Sequence, residues 1–154
     1  MDVKAADIMV KSVVCVQKST TLQELVEIFL TKNVSGVPVL DGEKLIGIIS
    51  KTDMVTHGLE KELSSLLKQK HEKYSSIDLP DFDYLLGSEP SQETVEHVMT
   101  KKAITTGPDT KVAELVKIML ENKIHRVIIV EDEKVVGLVS TVDLLKLFDE
   151  RYFK

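Results

Sequence analysis

Cysteine and aromatic residues are scarce in this chain of 154 residues, which has one cysteine, no tryptophan and 5% aromatic content. Because Cys15 has no second cysteine to pair with, an internal disulfide is excluded, and its apolar neighbours Val14 and Val16 indicate a buried strand thiol. Few aromatic stacking platforms and a formal net charge of −5 argue against binding of single-stranded or duplex nucleic acid. We expect an intracellular protein whose partners do not include nucleic acid.

Long apolar runs are absent as well. No stretch approaches the roughly 20 residues of a transmembrane helix, and the opening sequence MDVKAAD lacks the basic segment and apolar core of a signal peptide. We therefore expect a soluble, cytoplasmic protein without membrane contact. With 43% hydrophobic residues the chain can still build a core, either of one ordinary domain or of two small ones.

The motifs of common enzyme classes are missing too. The chain has no GxxxxGK[ST] phosphate loop, no GxGxxG after a strand and no GxSxG turn. Its four histidines, His57, His71, His97 and His125, lack the spacing of metal ligands and are expected at the surface. The sequence predicts neither a catalytic residue nor a metal site.

An internal repeat is the main positive feature of the sequence. The stretch from His125 to Leu145 repeats the stretch from Ser35 to Val55, and Asp143 lies 90 positions after Asp53. Each copy reads as a strand, a charged turn, a strand and the start of a helix, and an amphipathic helix pattern and a short extended run precede it. Each unit is therefore predicted as β-α-β-β-α.

A unit of about 55 residues is marginally stable alone, so two units are expected to pack together. We predict an α/β fold in which they pack sheet to sheet with pseudo-twofold symmetry. The predicted boundaries are residues 1–56 for the first unit, 57–93 for a linker and 94–154 for the second unit. Within the linker, residues 56–74 have the pattern of an amphipathic helix, and residues 75–92 that of an acidic loop or, alternatively, a latch for a partner.

Several helix and turn boundaries can be predicted from single residues. Thr21 with Glu24 predicts a capping box at a helix start. Asn33 and Asn122 are expected at helix ends, where asparagine tolerates the left-handed conformation. The pair at residues 41–42, Asp-Gly, suits the positive φ angles of a tight hairpin.

A Ser-x-x-Asp pattern follows the last strand of each unit, as Ser50 with Asp53 and as Ser140 with Asp143. One interpretation is a helix start, in which the hydroxyl and the carboxylate bind free amides. The other is a ligand site, because each pattern follows a glycine that permits close approach to the backbone, and a carboxylate can accept from two ribose hydroxyls. The strict repetition favours the ligand site.

These residues resemble a tandem pair of cystathionine-β-synthase (CBS) domains, often called a Bateman module. The resemblance covers Val3 to Val55 and Thr94 to Leu145. It rests on the following matches: Ile8-Met9, Val98-Met99, Gly36-Val37-Pro38-Val39, Asp41-Gly42, Leu45-Ile46-Gly47-Ile48-Ile49-Ser50 with Asp53, Pro108-Asp109-Thr110, and Val136-Gly137-Leu138-Val139-Ser140 with Asp143. The resemblance implies a regulatory module that binds adenosyl ligands in clefts between the units.

The resemblance also implies roles for individual residues. Asp53 and Asp143 match the aspartate that holds the ribose hydroxyls, and Ser50 and Ser140 match a residue near ribose or phosphate. Thr105 matches a threonine frequent in the family's first strand. His125 and Arg126 stand where nucleotide-binding members carry basic residues, and a guanidinium suits phosphate. AMP, ADP or ATP is therefore preferred over S-adenosylmethionine, and the cleft of Asp143 is expected to bind more tightly than that of Asp53.

The predicted function is regulatory binding of an adenine nucleotide that changes conformation or association, with an unknown effector protein as partner. The alternative is a structural or protein-interaction module whose clefts stay unoccupied. We also expect a homodimer, formed through apolar faces of the helices after Ser50 and Ser140. The residues of these faces are Met54, Val55, Leu144, Leu145, Leu147 and Phe148.

Overall fold

Two three-stranded sheets organise the computed structural model, which describes residues 2–58 and 92–149. The first half contains α1 (Ala5–Ile8), β1 (Val16–Gln17), α2 (Leu22–Lys32), β2 (Gly36–Asp41), β3 (Lys44–Ser50) and α3 (residues 51–58). The second half contains a 3-10 helix (Val95–His97), β4 (Thr105–Thr106), α4 (Val112–Asn122), β5 (Arg126–Glu131), β6 (Lys134–Ser140) and α5 (Thr141–Lys146). The predicted β-α-β-β-α order of each unit and the α/β class are confirmed.

Both sheets have the same topology. β1 pairs in parallel with β2, and β2 pairs antiparallel with β3; β4, β5 and β6 repeat this arrangement. Parallel neighbours need a crossover connection, and α2 and α4 supply it. The register is repeated as well, because Val39 pairs with Gly47 and Ile129 pairs with Gly137.

The central strand of each sheet is buried on both faces. Val127 and Ile129 of β5 belong to the apolar core of the second unit, and Ile128, which points the opposite way in a strand, is only 1% exposed. Pro38 is the corresponding fully buried residue of β2. β3 and β6 contact each other, so the two sheets meet at these strands, as predicted for sheet-to-sheet packing.

The opening segments of the two units are exchanged. Ala5 is fully buried in the core of the second unit, and its N–H donates to the carbonyl of Thr110 at 2.8 Å. Val95 is fully buried in the core of the first unit, and its N–H donates to the carbonyl of Thr20 at 2.8 Å. Each core is therefore completed from the other half of the chain, while the division into residues 1–56, 57–93 and 94–154 stays a prediction.

The glycines of β3 and β6 make room for these exchanged segments. A methyl group on Gly47 would lie 2.5 Å from the carbonyl oxygen of Thr100, and one on Gly137 would lie 2.3 Å from Sδ of Met9. Next to Gly47, Ile48 and Thr100 exchange two backbone hydrogen bonds of 3.0 and 2.8 Å. As inferred from the sequence, other atoms lie close to the backbone of these glycines. These atoms belong to the exchanged protein segments and not to a ligand.

The predicted helix ends are found, and only the residue that takes the left-handed conformation differs in the second unit. Thr21 and Glu24 form a capping box, and Asn33 ends α2 in the left-handed conformation with φ 50°. In the second unit, Lys123 takes this conformation with φ 53°, whereas Asn122 is the last residue of α4. Asn122 therefore lies at the helix end as predicted, but the left-handed conformation is taken by Lys123, which the repeat of 90 positions aligns with Asn33.

Part of the predicted linker lies outside the described residues. Of the helix predicted over residues 56–74, residues 56–58 are described and are helical. Of the acidic loop predicted over residues 75–92, only Gln92 is described.

The apolar residues predicted to face a second copy are divided between core and surface. Met54 and Leu144 are buried at 4% and 8% exposure and belong to the two cores. Leu145 and Phe148 are 65% and 81% exposed. Only part of the predicted dimer surface is therefore available for association.

Candidate functional site

The Ser-x-x-Asp pattern forms a helix cap in the second unit. The N–H and hydroxyl of Ser140 donate to Oδ2 of Asp143 at 2.9 and 2.7 Å, and the N–H of Asp143 donates to Oγ of Ser140 at 3.3 Å. This reciprocal capping box starts α5 at the end of β6. It fixes Asp143 at the end of the sheet, with its carboxylate turned back towards Ser140.

The first unit repeats this arrangement closely. The N–H and hydroxyl of Ser50 donate to Oδ2 of Asp53 at 2.7 and 3.0 Å, and the N–H of Asp53 donates to Oγ of Ser50 at 3.2 Å. Both patterns therefore cap a helix, as the first interpretation predicts. A helix cap leaves ligand binding open, because a carboxylate oxygen has more than one acceptor position.

The surroundings of the two carboxylates differ in charge. Lys146 donates to Oδ1 of Asp143 at 3.0 Å, and Asp143 is only 6% exposed. Burial alone raises the pKa of Asp143, but hydrogen bonds from Ser140 and the ammonium of Lys146 outweigh it, so the pKa lies below its usual value. At the corresponding position the first unit has Thr56 in place of Lys146, so the repeat does not reproduce this ion pair at Asp53.

The predicted basic residues lie where the two units meet. His125 is exposed, and Arg126 is half-buried at the start of β5. Arg126 Nη2 donates to Oγ of Ser35 in the first unit. Its guanidinium also lies against Gly36, where a methyl group would be 2.6 Å from Nη1.

Four of the predicted site residues line one cavity of about 360 Å³. These residues are Ser140, Asp143, His125 and Arg126. The lining from the first half of the chain consists of Val10, Ser12, Val13, Val14, Asn33, Val34, Ser35 and Gly36. The cavity combines apolar walls with a carboxylate and a guanidinium, and its volume is within the usual range for small-molecule sites.

The remaining predicted residues lie elsewhere. Asp53 lines a smaller cavity of about 250 Å³ with His57 and His97. Thr105 lines a separate cavity of about 840 Å³, whose lining includes the hairpin residues Glu43 and Lys44 of the first unit and Asp132, Glu133 and Lys134 of the second. Ser50 is held in the cap of Asp53. The structure therefore brings together the four predicted residues of the second unit's strand ends and separates Thr105 from them.

Other side chains that could act as acids, bases or nucleophiles make contacts within the fold. Nε2 of His57 lies 3.0 Å from Oε1 of Glu93, and Nδ1 of His97 lies 3.0 Å from Oγ1 of Thr94. Burial raises the pKa of the Cys15 thiol.

Within residues 2–58 and 92–149, no group of three or more histidine, cysteine or acidic residues could hold a metal ion. In the same ranges, no helix is long and apolar enough to cross a membrane.

Two contact partners of the predicted site residues, Lys146 and Ser35, were not predicted from the sequence. Lys146 follows Asp143 by three positions, and this helical spacing alone predicts that the two side chains meet. Ser35 corresponds to His125 in the repeat, which suggests a strand end but not a contact with Arg126. That contact depends on the packing of one unit against the other, about which the repeat says nothing.

The family model for the CBS domain matches residues 5–60 and 95–150. The chain belongs to the CBS domain family. MJ1426 of Methanocaldococcus jannaschii is 33% identical over 153 residues, which cover 91% of this chain and 88% of that protein. Several other CBS relatives are longer proteins, of which the chain spans between 23% and 44%.

Solved CBS structures share the fold. CBSX2 in complex with AMP has a TM-score of 0.68 and 21% identity, and the match covers 94% of this chain and 95% of that one. The CBS domain pair of MJ0100, in complex with 5′-methylthioadenosine and S-adenosyl-L-methionine, has a TM-score of 0.67 and 24% identity, with 95% and 99% covered. At these identities the comparison shows that the chain folds as a CBS pair.

Proposed function

We propose that this CBS pair is a regulatory module that binds AMP, ADP or ATP in the cavity lined by Asp143. The observation that carries the proposal is the meeting of Asp143, Ser140, His125 and Arg126 on one cavity between the units. Structurally similar CBS pairs bind AMP or S-adenosylmethionine, which supports an adenosyl ligand. The basic residues favour a phosphorylated one.

Each polar group has a role in this proposal. Asp143 accepts hydrogen bonds from the ribose hydroxyls, and Ser140 keeps its carboxylate in place. Arg126 and His125 contact phosphate. The apolar side chains of Val10, Val13 and Val14 receive the base. Asp53 and Ser50 form a second, weaker site, because the first unit has Ser35 and Gly36 where the second has His125 and Arg126.

Ligand binding between the units provides a route to regulation. A ligand with different affinity for two arrangements of the units shifts the population between them. The response is then transmitted to an effector protein or to a second copy of the chain in the cytoplasm. Leu145 on α5 and Phe148, two residues after α5 ends, are exposed and are the surface proposed for the homodimer.

Paired aspartate variants test the site. Asp143→Ala and Asp53→Ala remove the same helix cap, which costs about 1 kcal/mol each, and Asp143→Ala also removes the ion pair with Lys146, so it should lower stability more than Asp53→Ala. Loss of a charged acceptor costs about 1.5 to 3 kcal/mol, so Asp143→Ala should weaken AMP binding by about tenfold to a hundredfold and Asp53→Ala by less. Calorimetric titration of AMP and of ATP into each folded variant measures the two losses of affinity. Equal affinities of wild type and Asp143→Ala would falsify the assignment.

The second candidate function is a structural or protein-interaction module with unoccupied clefts. It is favoured by the contacts of Asp143, whose two carboxylate oxygens already accept from Ser140 and Lys146. A panel of AMP, ADP, ATP, S-adenosylmethionine and NADH distinguishes the two functions, because a ligand of the folded state raises the melting temperature. An unchanged melting temperature at millimolar ligand supports the structural module.

A further inference from the structure

Arg126 is held by residues of the opposite unit. Its guanidinium donates to the Ser35 hydroxyl and lies against the backbone of Gly36. In the repeat, Ser35 and Gly36 correspond to His125 and Arg126 themselves. The small residues of the first unit thus leave space into which the arginine of the second unit folds, and the resulting hydrogen bond joins the two units.

This contact lies inside the cavity proposed to bind nucleotide, since Ser35, Gly36 and Arg126 all line it. Ser35 gives the guanidinium one neutral acceptor. A phosphate gives it a negative charge and two oxygens in the geometry of a bidentate pair, which is the stronger interaction. A phosphate in the cavity is therefore a better partner for Arg126 than the serine hydroxyl.

We propose that Ser35 is an intramolecular competitor for Arg126, which the phosphate of a bound nucleotide displaces. The inference rests on the proposed function and adds a selectivity determinant to it. Ser35 lowers the affinity for ligands that carry phosphate and leaves the affinity for adenosine unchanged. Because the displaced bond joins the two units, only a phosphorylated ligand removes this contact between them, which gives a phosphate-specific signal.

A measurement without ligand tests the contact itself. Urea unfolding is compared for wild type, Ser35→Ala, Arg126→Gln and the double variant, which together form a thermodynamic cycle. Each single variant should lower the unfolding midpoint, and the double variant should lower it no further than Arg126→Gln alone. Midpoint shifts that simply add would show that Ser35 and Arg126 do not interact, and would overturn the inference.

Titrations with adenosine and AMP then test displacement. Ser35→Ala should bind AMP about threefold more tightly, as expected for loss of a partly exposed polar pair, and should bind adenosine as wild type does. In the Arg126→Gln background, Ser35→Ala should not change AMP binding. Ser12→Ala is the control, because it removes a hydroxyl from the same cavity wall and should not discriminate between AMP and adenosine.

The outcomes separate the inference from the proposed function. Weaker AMP binding by Ser35→Ala would show that Ser35 contacts the ligand directly. Equal changes in the affinities for AMP and adenosine would show that Ser35 only shapes the cavity wall. Either result would overturn the proposal that Ser35 competes with phosphate for Arg126. If wild type binds neither compound nor ATP, the proposed function fails and displacement fails with it. In that case the unfolding cycle still decides whether Ser35 holds Arg126.

Discussion

At the scale of single residues, the repeated glycines show how one pattern supports two interpretations. A glycine before Ser-x-x-Asp permits close approach to the backbone, and the sequence does not say what approaches. In the structure, Met99 and Thr100 lie against Gly47, and Met9 lies against Gly137. These glycines therefore serve the contact between the units, and the ligand proposal depends on Asp143 and Arg126.

Replacing Gly47 or Gly137 with alanine should lower the free energy of unfolding by different amounts. Gly47→Ala meets the backbone carbonyl of Thr100 and should lower the free energy of unfolding by about 3 kcal/mol, whereas Gly137→Ala meets a flexible Met9 side chain and should cost about 1 kcal/mol. Gly107→Ala is the control, because nothing lies within 4 Å of the added methyl group. Urea denaturation measures all three. Equal costs for Gly47→Ala and Gly137→Ala contradict this explanation.

Asp143 predicts a pH dependence. Its pKa is lower in the folded protein than in the unfolded chain, so the stability from its ionised form is fully present above about pH 4 and is lost as the pH falls through the folded pKa. Lys146→Met removes one cause of the lowering, so the pKa of Asp143 should rise and acid unfolding should begin at higher pH. Carboxyl NMR titration and acid unfolding measure the two effects.

Lys117→Met is the matched control for this change. It removes the same charge from an exposed pair in which Nζ lies 3.8 Å from Glu121 Oε1. Exposed pairs contribute little to stability, so Lys117→Met should leave the acid transition where it is. A similar displacement in both variants would mean that the effect comes from net charge rather than from Asp143.

At the scale of helices and strands, the sequence predicted types and order well and some ends poorly. Asn33 and the capping box of Thr21 and Glu24 were predictable because these side chains have a local preference for their positions. The hairpin of the second unit has no such signal. Asp132 and Glu133 take positive φ angles of 50° and 63°; aspartate tolerates this conformation, but strand pairing imposes it on Glu133, which does not favour it.

Lys123 offers a test of such an imposed conformation. A left-handed lysine costs roughly 1 kcal/mol relative to glycine, so Lys123→Gly should raise the free energy of unfolding by about 0.5 to 1 kcal/mol. Asn33→Gly is the matched variant at the equivalent helix end. It should change stability by less than about 0.5 kcal/mol, because asparagine already tolerates the conformation. Thermal and urea unfolding measure both, and equal effects would argue against relief of strain.

At the scale of the whole molecule, the repeat predicted two similar units but not how they are joined. Both copies have nearly the same pattern, so an opening segment suits either sheet, and periodicity does not decide between them. Ala5 and Val95 are fully buried in each other's half of the chain. The meeting of Arg126 and Ser35 depends on the same packing and was unpredictable for the same reason.

The exchange of segments predicts that both units unfold together. Val95 is fully buried in the core of the first unit, so Val95→Ala should cost about 2 kcal/mol through lost burial and the cavity left behind. The segment that carries Val95 also leads into β4 of the second sheet. The loss should therefore appear equally in the opening free energies of the slowest amides of β2 and β5, as measured by native-state hydrogen exchange. Loss confined to β2 would mean that the first unit opens alone and that the exchanged segments do not couple the two cores.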